Sequence, residues 1–327
     1  MNYEERIKAQ IEQYDNVEDM HGQLSSIIDY WKRKHFKPIF EKVTGVKNHI
    51  EFYAVPFKRS IDKSNTKRII SLGAGNAAVE IQVVKKLLEL GCDNFSFEIL
   101  ELSEHQIKRA HENIEKAGMV KYFIVSQGDF NSWQPNTQYA GVMAHHALHH
   151  VMELEHLFQA IKLGLEPQGV FVTFDMIGAK GHARWPEALE FVEKIWAFLP
   201  ENKKYHHLLR KEFKEFYNHD CSDRGFEGIR AHEILPLLVE FFNFDTFLGY
   251  GNLTDEFISR GYGANYDTSN SKDLAFIDFL EFLNSVLLDL GYLKPTKMAA
   301  ILTKHDVSKT KCYKNLTPEF CIRPPFD

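Results

Sequence analysis

The chain has no long apolar run. Nothing in it approaches the roughly 18 to 20 consecutive apolar residues that a bilayer-crossing helix needs, so no membrane span is expected. The opening MNYEERIKAQ also lacks the apolar core of a secretory leader. Cysteine is scarce: Cys92, Cys221, Cys312 and Cys321 show no C-x-x-C spacing, which argues against a disulfide framework or a cysteine-based zinc site. Reduced thiols and a cytoplasmic location are the expectation. There is no excess of basic charge either. With 39 Lys and Arg against 45 Asp and Glu the net charge is −6, and without a basic stripe a nucleic-acid partner is disfavoured. Internal repeats and low-complexity tracts are missing too.

What is present is globular. The 327 residues are 44% hydrophobic and 26% charged, enough for a full core in one large domain. The most informative stretch is Arg68 to Glu80, RIISLGAGNAAVE. Ile69, Ile70 and Leu72 read as a buried strand, and Gly73 and Gly75 permit a left-handed turn and close approach to the backbone. Helical spacing then runs from Ala77 to Gly91. A helix N-terminus behind a Gly-x-Gly turn offers amides to a carboxylate-bearing or anionic ligand.

GAGNAA alone also fits a dinucleotide fingerprint. The next strand, FSFEILEL, delivers Glu101 with Leu102 beside it, somewhat beyond the roughly 20 residues usual for the ribose-binding acid of that fingerprint. A third strand, YFIVSQGDF, ends in Asp129-Phe130, an acid and an aromatic suited to an adenine edge.

Strand and helix patterns alternate from Arg68, which implies a parallel sheet with right-handed crossovers. Further strands are expected at YAGVMA, Gly169 to Phe174, Phe244 to Tyr250 and Met298 to Thr303, seven in all, with the last antiparallel. Helices are expected over Glu104 to Ala117, His149 to Leu165, Trp185 to Phe198, Tyr205 to Tyr217, Ala231 to Phe242 and Leu274 to Leu290. Residues 1–66 read as a helical extension: two helices over Asn2 to Lys42 with a break around Tyr14 to Val17, then an irregular lead-in from Phe52 to Thr66. They pack against the sheet or form a lid using His21, Tyr30 or Trp31. Residues 67–304 form the main domain, with insertions at 176–230 and 252–297 that roof the carboxyl ends of the strands, and 305–327 form a tail.

On these motifs the sequence resembles the class I S-adenosylmethionine-dependent methyltransferases from Arg68 to Phe174. The resemblance implies a Rossmann-like α/β fold and S-adenosyl-L-methionine as cofactor. It also implies that Gly73, Ala74, Gly75 and Asn76 hold the methionine part, that Glu101 and Leu102 meet the ribose, and that Asp129 and Phe130 meet the adenine. The loop's frequent third glycine is Ala77 here. The family's loop after the fourth strand lies beside the sulfonium, so His145 and His146 line the cofactor and His149 the acceptor.

HHALHH holds two His pairs at i, i+4, a spacing that can place two imidazoles on one helical face. No third ligand accompanies it in the sequence, so no metal is assigned. Asp175 ends the fifth strand, and His182, Arg184 and Trp185 follow; with Arg230 they could form the acceptor site. Arg184 or Arg230 would clamp an anionic group and Trp185 stack on a ring. Methyl transfer is an in-line displacement that needs positioning first; a hydroxyl acceptor would also use a base, for which His149, His182 or Asp175 are candidates. The expected partner is a small-molecule acceptor, methylated on oxygen or nitrogen, and the chain could pair as a homodimer. The alternatives are a nicotinamide-dependent oxidoreductase, which GAGNAA alone would permit, and a non-catalytic cofactor-binding module.

Overall fold

The computed structural model describes residues 2–15, 24–223 and 225–324. Its centre is a seven-stranded sheet built from β1 (Arg68–Leu72), β2 (Ser96–Glu101), β3 (Phe123–Gln127), β4 (Tyr139–His145), β5 (Leu165–Met176), β8 (Asn243–Tyr250) and β9 (Lys297–Thr303). A two-stranded hairpin, β6 (Tyr205–His206) and β7 (Lys211–Glu212), stands apart from it. The sheet order is β3-β2-β1-β4-β5-β9-β8. β9 runs antiparallel to both neighbours and the remaining pairings are parallel, so the fold is Rossmann-like with one reversed strand.

Strand order reverses between β1 and β4, and there the crevice opens. In register Leu72 lies beside Leu100 and Ala144, so the loops leaving β1, β2 and β4 start at one level. The Gly73 amide donates to the Leu100 carbonyl at 2.9 Å and fixes where the chain turns out of the sheet.

Three stretches differ from the sequence expectation. The lead-in over Phe52 to Thr66 is largely a helix, His49–Ile61. Pro56 argues against a helix locally, but Asn48 caps it by accepting from the Glu51 amide, and Phe52, Tyr53 and Phe57 are buried against the sheet. Burying three such side chains contributes roughly 2 kcal/mol each, more than the proline costs. Gly141 makes room for this helix, since a Cβ there would lie 2.5 Å from the Phe57 ring.

Between Tyr205 and Tyr217 the expected helix is instead the short hairpin β6–β7. The Asn265 amide donates to the Lys203 and Tyr205 carbonyls at 3.1 and 2.8 Å, and Arg210 takes a left-handed φ of 51°. Residues Leu208 to Glu212 are exposed, so a helix there would have no apolar face to bury.

The helix expected from His149 begins only at Leu154 and ends at Gly164; Leu148–His150 form a 3₁₀ turn. The i, i+4 pairing of histidines is therefore not realised.

At the N-terminus the two expected helices form. A helix spans Tyr3–Asp15, and the next, from Ser26, passes through a π-helical segment at Lys32–Phe36 to end at Thr44. Tyr30 and Trp31 serve packing: the Trp31 indole donates to Glu281 at 2.7 Å and the Tyr30 hydroxyl to Asp278. His21 lies outside the described residues. The tail beyond residue 304 packs on the sheet edge through a bridge between Thr246 and Lys311.

Candidate functional site

A cavity of about 310 Å³ opens at the carboxyl ends of β1, β2 and β4. Gly73, Ala74, Gly75, Asn76, Glu101, Leu102, Asp129, Phe130, His145 and His146 all line it. The structure thus brings the ten residues singled out for the cofactor to one place.

The two glycines do different work. Gly73 has φ +71°, and a Cβ there would meet Ala147 at 3.0 Å and Phe130 at 3.2 Å; Gly75, at φ +55°, has nothing within 4 Å of its Cβ position. Gly73 is therefore needed for packing and Gly75 leaves room for a ligand. Ala77 adopts φ 63° at the start of the helix Ala78–Glu89, a left-handed residue without glycine's freedom, at a cost of about 1 kcal/mol.

Glu101 shapes the wall. Its Oε1 accepts from the Leu102 and Ser103 amides at 2.9 and 3.0 Å, and its Oε2 from the Gly75 amide at 2.8 Å. A carboxylate has about four lone-pair sites, so one on Oε2 remains for a ligand hydroxyl. Burial raises the Glu101 pKa, against the pull of those three amides. Asp129 Oδ1 accepts from the Asn131 amide and side chain, while its Oδ2 accepts from the Tyr3 hydroxyl.

Two contributors were not legible in the sequence. Gln10 and Ile11, from the helix Tyr3–Asp15, and Phe226 line the cavity. The helix is held there by Arg6, which donates to the Ser222 and Gly225 carbonyls at 2.9 and 2.6 Å, and by Gln10, which accepts from the Phe226 amide. It is this helix that covers the cavity. Among the described residues of the two insertions, Phe226 alone belongs to the lining.

The second contributor is Glu80, which is 2% exposed. Ser71 donates to its Oε1 at 2.8 Å, and its Oε2 has no partner among the described residues. Burial pushes its pKa up to about 7.

The base candidates form one buried network behind the cavity. Asp175 accepts from the amides of Ala147, Leu148, His149 and Met176, and its Oδ1 lies 2.5 Å from His149 Nδ1. Burial works against charge on both, but their mutual attraction raises the His149 pKa and lowers that of Asp175. Asp175 thus orients the turn after β4, where His146 takes φ 51°, and stands back from the cavity. His149 Nε2 is 3.6 Å and His182 Nε2 2.8 Å from Glu227 Oε1. Glu227 sits next to Phe226, and sequence spacing gave no hint of it. His150, which lines the cavity, is pushed down to about 3, chiefly by burial. His145 is held by the Tyr53 hydroxyl, 2.9 Å from its Nδ1.

Arg184, Trp185 and Arg230 do not line the cavity. Arg184 is clamped by Glu256 at 2.8 Å and by the Asn252 and His182 carbonyls. Trp185 precedes the helix Pro186–Phe198 and lies under the Arg323 guanidinium. Arg230 is held by Glu155, Glu233 and the Met152 carbonyl. The guanidinium groups of Arg184 and Arg230 are each already paired with at least one carboxylate.

Residues 73–173 match a family model described as a methyltransferase domain. The matched stretch takes in the glycine loop and both strand-end acids, Glu101 and Asp129, on the Rossmann-like sheet described above. No curated protein matches the sequence.

Among solved structures, a putative sarcosine dimethylglycine methyltransferase from Galdieria sulphuraria is similar at 14% identity and a TM-score of 0.45, over 93% of this chain and 99% of that one. The O-methyltransferase of a trans-AT PKS multienzyme of Brevibacillus brevis, in complex with S-adenosyl-L-homocysteine, also shows 14% identity and a TM-score of 0.45, over 88% of this chain and 81% of that one. The glycopeptide N-methyltransferase MtfA, in complex with S-adenosyl-L-homocysteine, shows 17% identity and a TM-score of 0.31. That match takes in 42% of this chain and about half, 51%, of its own.

Proposed function

We propose that the protein transfers a methyl group from S-adenosylmethionine to the oxygen or nitrogen of a small-molecule acceptor. The observation that carries this reading is the lining of the cavity: glycine loop and strand-end acids on one side, Gln10, Ile11 and Phe226 on the other. Such a cleft suits a cofactor and a small partner. A net charge of −6 supports no polyanionic partner.

The residues fit the cofactor's groups. The spare lone pair of Glu101 Oε2 takes a ribose hydroxyl, Asp129 the adenine amino group in place of the Tyr3 hydroxyl, and Glu80 Oε2 the ammonium of the methionine part. The bound cofactor supplies an electrophilic methyl group on a sulfonium. The chain positions it: His145 and His146 border the cavity, and the acceptor enters beside Phe226, toward the pair His182–Glu227 that stands behind the wall. His149 and Asp175 act as positioning residues. In the same reading, residues 67–304 are the catalytic domain, 1–66 its cover and 305–327 a tail.

Incubation with methyl-labelled cofactor and the small-molecule fraction of a cell extract tests this, with labelled product and S-adenosylhomocysteine formed together as the expected result. Binding of NADH without any response to S-adenosylhomocysteine would establish an oxidoreductase instead. Tight cofactor binding with no transfer to any fraction would leave a non-catalytic module.

A further inference from the structure

His149, His182 and Glu227 each offer one ligand atom, and these atoms lie within 4.8 Å of one another. The Glu227 carboxylate is 2.8 Å from His182 Nε2 and 3.6 Å from His149 Nε2. Nitrogen and oxygen ligands at about 2.0–2.2 Å from a metal ion are separated by about 3.0–3.6 Å at tetrahedral to octahedral angles. The three groups can therefore close on an ion with small movements.

The surroundings are those of a supported ligand set. His149 presents Nε2 because its Nδ1 is engaged by Asp175 at 2.5 Å, and Asp175 is itself fixed by four backbone amides. A carboxylate behind a ligating histidine sets its tautomer and orientation. His182 and Glu227 come from two loops pressed together: the Gly181 amide donates to the Gly228 carbonyl at 2.9 Å, and a Cβ on Gly228 would lie 3.0 Å from the Gly181 Cα. His182 itself has φ 60°. Three segments distant in sequence are thus brought to one point by a rigid backbone.

We propose that His149, His182 and Glu227 form a mononuclear site for a divalent first-row transition-metal ion. Two imidazoles with one carboxylate suit manganese to zinc and disfavour magnesium and calcium, which take oxygen ligands. Three protein ligands leave coordination positions open. Phe226 and His150, the chain neighbours of Glu227 and His149, line the cofactor cavity, so an open position adjoins it. Resting on the methyltransferase reading, that position takes the oxygen or nitrogen of the acceptor and favours its deprotonated form by Lewis acidity.

The full-length chain, stripped with a chelator and titrated with Co(II), gives the test through its visible d–d absorption. One equivalent should bind. His182→Ala and Glu227→Gln should each weaken it by about 100-fold or more, and Asp175→Asn by about 10- to 100-fold, with the thermal shift on adding S-adenosylhomocysteine retained in the first two. A wild-type chain that responds to S-adenosylhomocysteine yet shows no stoichiometric Co(II) band overturns the site, and so does a band unchanged in both ligand variants. A chain that binds one Co(II) through these residues but transfers no methyl group keeps the metal site and sinks the methyltransferase reading.

Discussion

The hydroxyl of Ser71, on β1, donates at 2.8 Å to the carboxyl of Glu80, in the first turn of the helix that follows. Because Glu80 is buried, its pKa is raised to about 7, whereas in the unfolded chain it lies near 4.5. A folded-state pKa raised in this way contributes stability that is complete below the unfolded value and is lost as pH rises through the folded one. The loss between pH 4.5 and 7.5 should be about 3 kcal/mol. Urea denaturation of wild type and Glu80→Gln across that range checks it: the variant's profile should be flatter by this amount, and equal slopes would place the titration elsewhere. Since an ammonium favours the carboxylate, affinity for S-adenosylhomocysteine should also rise with pH over this window in wild type alone.

Glu101→Gln should weaken S-adenosylhomocysteine binding by about 1.5–3 kcal/mol, as for loss of a hydrogen bond to a charged acceptor. Calorimetry gives the affinity. Glu101→Ala should in addition lose stability, because the amides of Gly75, Leu102 and Ser103 all donate to this carboxylate. Unchanged cofactor affinity in both variants would remove Glu101 from the ribose.

In the glycine loop, opposite outcomes are expected at adjacent turns. Gly73→Val should abolish the thermal shift on adding S-adenosylhomocysteine, since its Cβ meets Ala147 and Phe130 and a branched residue resists a left-handed φ. Ala77→Gly should raise Tm by a few degrees at most, relieving about 1 kcal/mol of strain at φ 63°. A lower Tm for Ala77→Gly would show that the alanine is not strained.

Arg230→Ala should leave cofactor affinity and turnover within about twofold of wild type and cost about 1 kcal/mol of stability, as for a partly exposed ion-pair cluster. Loss of turnover at unchanged stability would return Arg230 to the acceptor site.

The sheet and the cofactor loop were legible because their signals are local. A β-rich run, two glycines and an acid at a strand end each act within a few residues, and parallel pairing aligns them. The helix His49–Ile61 was hidden by Pro56, whose local cost is outweighed by burial of Phe57 under Gly141. Glu80 looked like any solvated helical acid, since nothing nearby in sequence reports that its turn faces inward. Glu227 was invisible for another reason: its partners lie 45 or more residues away, and it is tertiary contacts such as Gly181 with Gly228 and Arg184 with Asn218 that bring the two loops together. Arg184 and Arg230 misled because a free clamp and a satisfied ion pair read alike in sequence.

The helix Tyr3–Asp15 is held over the cavity by the Tyr3 hydroxyl, the Arg6 guanidinium and the Gln10 side chain, and over residues 3–12 none of its side chains is fully buried. Polar contacts of this kind exchange readily with water, so the seal can open without disturbing the core. Traffic through the cavity then becomes a matter of how often this short segment lifts. Removal of residues 1–15 should leave the fold intact while hastening release of S-adenosylhomocysteine, and stopped-flow displacement reads that rate. The chain's first turns would therefore govern turnover as a doorway does, setting the pace of product departure while the chemistry proceeds behind them.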